Sequence, residues 1–273
     1  MKMLAHLVVP LCILVTCSFV EAIFAQRSYA KSSHKTVRAL SLCQVHYALG
    51  EINVLLAPEG LRLECVKSGI VAVAAPPQWN VSLFNPVTKK FTRCSVEQCH
   101  SLGANFLTIY KHGNMAHIPF ALPSRATVCG IAALKLESLD SFAKNLNNRY
   151  LRHEVHPSSA SKATYVISSS LAIPKAEAFV MARLYGLREF DGIPLEFKFF
   201  RVKSLRKATV VLSTKSCEKK VVPITLFQCP SNFERVDSME TLFAESASGE
   251  GGIGLIIQEM DSSKEFPVNN KGH

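Results

Sequence analysis

The sequence predicts an α+β protein: a strongly curved antiparallel sheet, in effect an unclosed β-barrel, with helices covering its concave side. Three observations predict it. Apolar and polar residues alternate with period two through most of the body. The alternating segments are short and lie close together, which suits an antiparallel meander. Helical patterns are few. A twisted sheet of this size with one apolar face must cover that face or curl around it.

The strands read in order. Leu61, Leu63 and Cys65 fall on one face, with Arg62 and Glu64 on the other. Ile70 to Ala75 is a short apolar strand, broken by Pro76-Pro77. Trp79, Val81 and Leu83 then share a face opposite Asn80 and Ser82, and Asn85-Pro86 ends that strand because Pro cannot donate to a ladder. Further strands are expected over Val128 to Leu136, Thr164 to Ser168, Ile193 to Val202, Ala208 to Ser213 and Lys219 to Ile224.

Helices are expected over Ser95 to Leu102, Leu139 to Leu151, and Ile173-Pro174 to Tyr185, with a terminal helical turn over Ser238 to Glu245. The third carries the best signal. Pro174 suits a first turn, Ala176, Phe179, Val180 and Leu184 recur on one face, and Gly186 stops the helix.

The chain opens with Met1-Lys2, an apolar run from Leu4 to Val20, and small-residue exits at Ala22 and Ala25. That is the layout of a secretory signal peptide, and it places the protein outside the cytosol, in the periplasm or at the cell surface. An uncleaved anchor is the alternative, since the run is near the lower length limit for a span. Leu14-Val15-Thr16-Cys17 also offers an apolar approach to a lipidated cysteine, with Thr16 where a smaller residue is expected. The organisation is then residues 1–25 as signal, 26–36 as flexible leader, 37–245 as the folded domain, and 246–273 as a disordered polar tail.

The chain carries a net charge of +10. The signal residues cancel and the tail is acidic, which leaves the body near +12. Such a surface favours anionic partners, an anionic membrane surface among them. Nucleic acid is not expected, because the basic residues come as scattered pairs (Lys89-Lys90, Arg206-Lys207, Lys219-Lys220) without interleaved aromatics. Solubility charge on exposed turns is the alternative.

Nine cysteines are present, seven of them beyond the signal. In an oxidising compartment these cysteines can form disulfides, and the local pairings to propose are Cys94 with Cys99 and Cys217 with Cys229; sequence does not set the connectivity, and buried free thiols are the alternative. Seven is odd, so at least one stays free or pairs with another chain. Cys94, Cys99 and His100, with His112 and His117 downstream, match no tight metal-ligand spacing, so no metal is expected. No Gly-x-Ser-x-Gly elbow and no Gly-rich phosphate loop before a helix occurs, and no enzymatic role or cofactor is expected.

Three segments carry a resemblance. The first runs from Leu61-Arg-Leu-Glu-Cys65 to Trp79-Asn-Val-Ser-Leu-Phe-Asn-Pro86. The second runs from Ala172-Ile-Pro-Lys175 to Gly192-Ile-Pro-Leu-Glu-Phe197. The third is Val222-Pro-Ile-Thr-Leu-Phe-Gln-Cys-Pro230, followed by Asn232-Phe-Glu-Arg-Val236. In this order they resemble the bacterial outer-membrane lipoprotein carriers, the LolA/LolB-like superfamily. The resemblance implies an eleven-stranded half-barrel over residues 37–245, helices on its concave side, and a cavity for acyl chains.

The function expected is therefore an exported carrier for a hydrophobic ligand, whether lipid, acyl chain or lipidated protein. Burying an acyl chain releases about 0.8 kcal/mol per methylene, so an apolar trough needs no polar chemistry. Residues expected to line it are Trp79, Val81, Leu83, Tyr165, Ile167, Leu195, Phe197 and Phe199. The alternative is a cell-surface interaction protein with a filled core, binding anionic partners through its basic face.

Overall fold

The computed structural model describes residues 35–99, 102, 118–154, 159–169, 171, 173–239 and 241–242. The signal, most of the leader, the tail, and His100, His112 and His117 lie outside the described residues. The body is one twelve-stranded sheet. Six strands come first: β1 (Thr36–His46), β2 (Gly50–Ala57), β3 (Gly60–Cys65), β4 (Val71–Ala74), β5 (Val81–Asn85) and β6 (Lys90–Cys94). Then come β7 (Ser124–Val128), β8 (Ile131–Glu137), α1 (Asp140–Leu151), β9 (Ala160–Ser168), α2 (Lys175–Tyr185), β10 (Pro194–Arg201), β11 (Ser204–Pro223) and β12 (Glu234–Arg235). The order across the sheet is β12-β6-β5-β4-β3-β2-β1-β11-β10-β9-β8-β7. Two meanders are thus joined where β1 pairs antiparallel with β11, and every ladder is antiparallel except β12 with β6.

The expected half-barrel with helices over a concave side is not what forms. The sheet is open: it ends at β12 and at β7, and no ladder joins those ends among the described residues. Helices are few among the described residues, namely α1, α2 and helical residues at Met239, Thr241 and Leu242, and they are too few to build the expected cover. Two physical reasons are visible. The α1 stretch is mostly polar and fully buries only Leu146. Also, the other face of the sheet needs cover of its own.

Side chains on both faces of the first meander are buried. Leu42, Val54, Leu63, Ala72 and Leu83 belong to the main cluster on one face. Val37, Ala39 and Ala57 on the other face pack with Val222 and Phe227, and Val71, Val73 and Phe84 pack with Phe91, Cys229 and Phe233. The chain after β11 supplies that second cover. It crosses the sheet through a short 3-10 turn, Ile224–Phe227, and Arg62 holds it by donating to the Leu226 carbonyl at 3.3 Å. It then adds β12 beside β6 and rounds the sheet edge, so that Leu242 is buried in the main cluster. One sheet edge is thereby capped by the chain's own return, which removes a template for unwanted strand pairing.

Local boundaries moved for identifiable reasons. The expected strand from Val128 to Leu136 forms from Ile131 onward as β8; Val128 instead ends β7, because Cys129 and Gly130 both take positive φ (48° and 79°) and turn the chain between the two. Ala208 to Ser213 and Lys219 to Ile224 are parts of one 20-residue strand. It has β1 on one side and β10 on the other, so ladder bonds carry it across the polar stretch between. Ser95 to Cys99 forms a turn, where Ser95 and Gln98 cap one another's backbone N–H groups. Pro174 caps α2 rather than opening its first turn, and Gly186 ends it in the left-handed region (φ 65°).

Candidate functional site

The eight residues expected to line a cavity do come together, but as packed core. Val81, Leu83 and Leu195 have no exposed surface, and Trp79, the most open of the eight, is 9 % exposed. All eight belong to one cluster. Their rings touch: Tyr165 lies 5.1 Å from Phe197 and Phe197 lies 6.4 Å from Phe199, centroid to centroid. Tyr165 also donates to the Arg188 carbonyl at 3.1 Å, which fixes its ring. Such contacts are those of a close-packed interior.

Across this core runs a polar line that the alternation does not reveal. Tyr185 on α2 donates to Gln44 Oε1 on β1 at 2.7 Å. Gln44 Nε2 donates to the Pro194 carbonyl at 3.0 Å and to Thr214 Oγ1 at 2.9 Å. Thr214 donates onward to the Leu195 carbonyl at 2.7 Å. Both amide protons of Gln44 and its oxygen are therefore used, as a buried amide requires. His46 stacks on Tyr185 at 5.5 Å, and its Nδ1 accepts from the Ala48 and Leu49 amides. Burial pushes its pKa down to about 4, against a hydrogen bond to the Tyr185 backbone that acts the other way. It is a neutral, structural histidine at physiological pH.

Glu177 is the exception to satisfied burial. It sits fully buried at the third position of α2. A glutamate there ordinarily reaches back to the N–H of the capping residue, but that residue is Pro174, which has none. Neither carboxylate oxygen has a hydrogen-bond partner by geometry among the described residues. Burial pushes its pKa up to about 8, and the Ala57 backbone opposes this only in part.

Among the described residues no disulfide joins any of the seven cysteines. Cys94 and Cys99 share a side-chain hydrogen bond, which draws the Cys94 thiol down and, with burial, drives Cys99 up. Cys217 and Cys229 are not brought together: the first packs against the main cluster and the second against the cluster on the opposite face. The neighbour of Cys217 is instead Cys129, which donates to the Thr214 carbonyl at 3.6 Å. No three His, Cys, Asp or Glu side chains gather as metal ligands among the described residues.

What the surface does offer is cationic. The long β11 exposes Lys207, Lys215, Lys219 and Lys220, with Glu218 the strand's one acid. Lys220 pairs with Glu218. Lys215 is the extra residue of a bulge opposite Cys43 and Gln44. At one end of β11, Arg38 faces Val221, which is 68 % exposed, and Lys219 lies one pair further along the same face. At the other end, Tyr47, Arg201 and Lys207 line an open cleft. A second cleft, by α2, is lined by Lys175, Phe179, Glu189 and Asp191, where Lys175 is already paired with Asp191 at 3.1 Å. Spacing in sequence shows only pairs of basic residues; their alignment along one strand follows from the merger of two expected strands into one.

No family model matches this chain, and no curated relative does. Among solved structures it is similar to an uncharacterized conserved protein from Thermus thermophilus. That likeness has 11% identity and a TM-score of 0.36, covering 80% of this chain and 98% of the other. It is too slight to support an argument about fold or activity.

Proposed function

We propose that this chain is an exported interaction protein with a filled core, which binds anionic membrane surfaces through the cations of β11 and its neighbours. The observation that carries the reading is the strand itself. At roughly 3.3 Å per residue it runs about 65 Å, with four exposed lysines and one acid. Each cation held near an anionic lipid surface contributes about 1 kcal/mol, and such attraction falls within a Debye length. Exposed Val221 beside Arg38 and Lys219 adds apolar contact at the headgroup boundary. The carrier reading draws less support, because the residues it needs as a cavity wall are in contact with one another.

The test is sedimentation of the mature chain with vesicles of phosphatidylglycerol in phosphatidylcholine, against phosphatidylcholine alone, at low and high salt. The reading expects binding to the anionic vesicles only, weakened as salt rises. Equal binding to both, or binding to neither, contradicts it.

A further inference from the structure

We propose that the cleft between Tyr47, Arg201 and Lys207 seats the phosphate group of an anionic lipid headgroup; this rests on the membrane-binding reading and gives it a specific site.

The cleft has a volume of about 430 Å³ and is lined by Tyr47, Arg201, Lys207, Ala208, Thr209 and Val210. Its walls are set by the sheet. Arg201 closes β10, Lys207 to Val210 belong to β11, and the Tyr47 amide donates to the Val211 carbonyl at 2.8 Å, which ties the end of β1 to the same rim. The bulge that places Val211 between two paired positions turns the strand at this point.

The charge is one-sided. No acid lines the cleft, and neither Arg201 nor Lys207 forms an ion pair among the described residues. The contrast with the cleft beside α2 is direct, since there Lys175, the one lysine or arginine in the lining, is paired with Asp191. The Nε of Arg201 is enclosed and has no hydrogen-bond partner among the described residues. A guanidinium offers a planar fork that matches phosphate oxygens, and a lysine adds a point charge. The Tyr47 phenol and the Thr209 hydroxyl supply neutral donors from the same walls.

The apolar character of the rim selects a lipid over a free ion. Tyr47 is 57 % exposed and Val210 is 51 % exposed, both beside the cations. A phenol ring and an aliphatic side chain at the mouth of a cationic cleft fit a headgroup whose glycerol and first methylenes lie just beyond its phosphate.

The experiment compares Arg201→Gln, Lys207→Gln and the charge-matched control Lys144→Gln, on exposed α1, in the vesicle sedimentation described above. Each variant is first shown to be folded by its melting curve. Arg201→Gln and Lys207→Gln should each weaken binding about tenfold, and Lys144→Gln less than about twofold. Should Arg201→Gln fail to fold, Lys207→Gln at its exposed position carries the test alone. Equal weakening by all three variants overturns the cleft and leaves the membrane reading standing. No vesicle binding by the parent overturns the membrane reading itself. Saturable binding of inorganic phosphate without vesicle binding overturns the lipid assignment.

Discussion

Tyr185 on α2 and Gln44 on β1, 141 positions apart, share a 2.7 Å hydrogen bond at the centre of the core. The bond fixes where α2 lies on the sheet. It also fixes the Gln44 amide, whose two protons hold Thr214 on the adjacent β11 and Pro194 on β10 beyond it.

Removing that donor strands an oxygen that water cannot reach. Tyr185→Phe should cost about 1 to 3 kcal/mol in urea unfolding. Replacing both partners, as in Tyr185→Phe with Gln44→Leu, should cost less than the sum of the two single changes. Additive losses would show that the pair is not coupled.

Two buried groups shape the dependence of stability on pH. Glu177 has its folded pKa raised from 4.5 to about 8, so its favourable contribution is complete below 4.5 and is lost as pH rises towards 8. His46 has its folded pKa lowered from 6.5 to about 4, so its contribution is complete above 6.5 and is lost as pH falls towards 4. Between 4.5 and 6.5 the two slopes are opposite and cancel. From 6.5 to 8 the Glu177 slope acts alone, and stability should fall by about 1.4 kcal/mol per pH unit. Glu177→Gln should abolish that decline and instead leave stability rising from pH 4 to 6.5 and level above. Urea midpoints across the range decide it; a parent whose stability is flat from 6.5 to 8 would show that Glu177 is ionised throughout.

Gly60 turns the chain between β2 and β3 at φ 151°, and a Cβ there would stand 2.6 Å from the Ala74 carbonyl oxygen. That oxygen belongs to the backbone of β4 and cannot swing aside. Gly60→Ala should therefore destabilise by about 2 kcal/mol or more. Gly69→Ala, whose Cβ would meet nothing within 4 Å but whose φ is 66°, should cost less, about 1 kcal/mol.

The contact between the Cys94 and Cys99 thiols predicts which disulfide an oxidant makes. With glutathione disulfide as the oxidant, the two thiols lose their protons and two electrons to it, one S–S bond forms, and two glutathione thiols are released. Peptide mapping should find Cys94 linked to Cys99 and no link between Cys217 and Cys229, which lie on opposite faces of the sheet. A Cys217–Cys229 peptide would contradict the topology.

How much of this was legible in the sequence follows from where each signal sits. β3, β4, β5 and β9 show alternation or a short apolar run with turn residues at the boundaries, and local reading places them. β1 and β2 escape it because both of their faces carry buried residues, so Val37 and Ala39 blur the contrast with Leu42 and Gln44. β12 is two residues long and exists only through its partner β6. The eight residues expected around a cavity lie in one packed cluster, and period two does not tell a lined hollow from rings in contact. Gln44, Tyr185 and Glu177 gave no signal, since their roles depend on which strand and helix meet. The lysines of β11 were visible as residues; their arrangement on one strand depends on the ladders either side of it.

In the function proposed above, contact with lipid takes place on the outside of a filled core. Trp79, the one tryptophan, reports on it because it is buried among the core side chains. The decisive measurement is Trp79 fluorescence with phosphatidylglycerol vesicles whose acyl chains carry bromine, a contact quencher. The protein should sediment with these vesicles while its emission stays unquenched. Strong quenching would place an acyl chain against Trp79, inside the core, and contradict it.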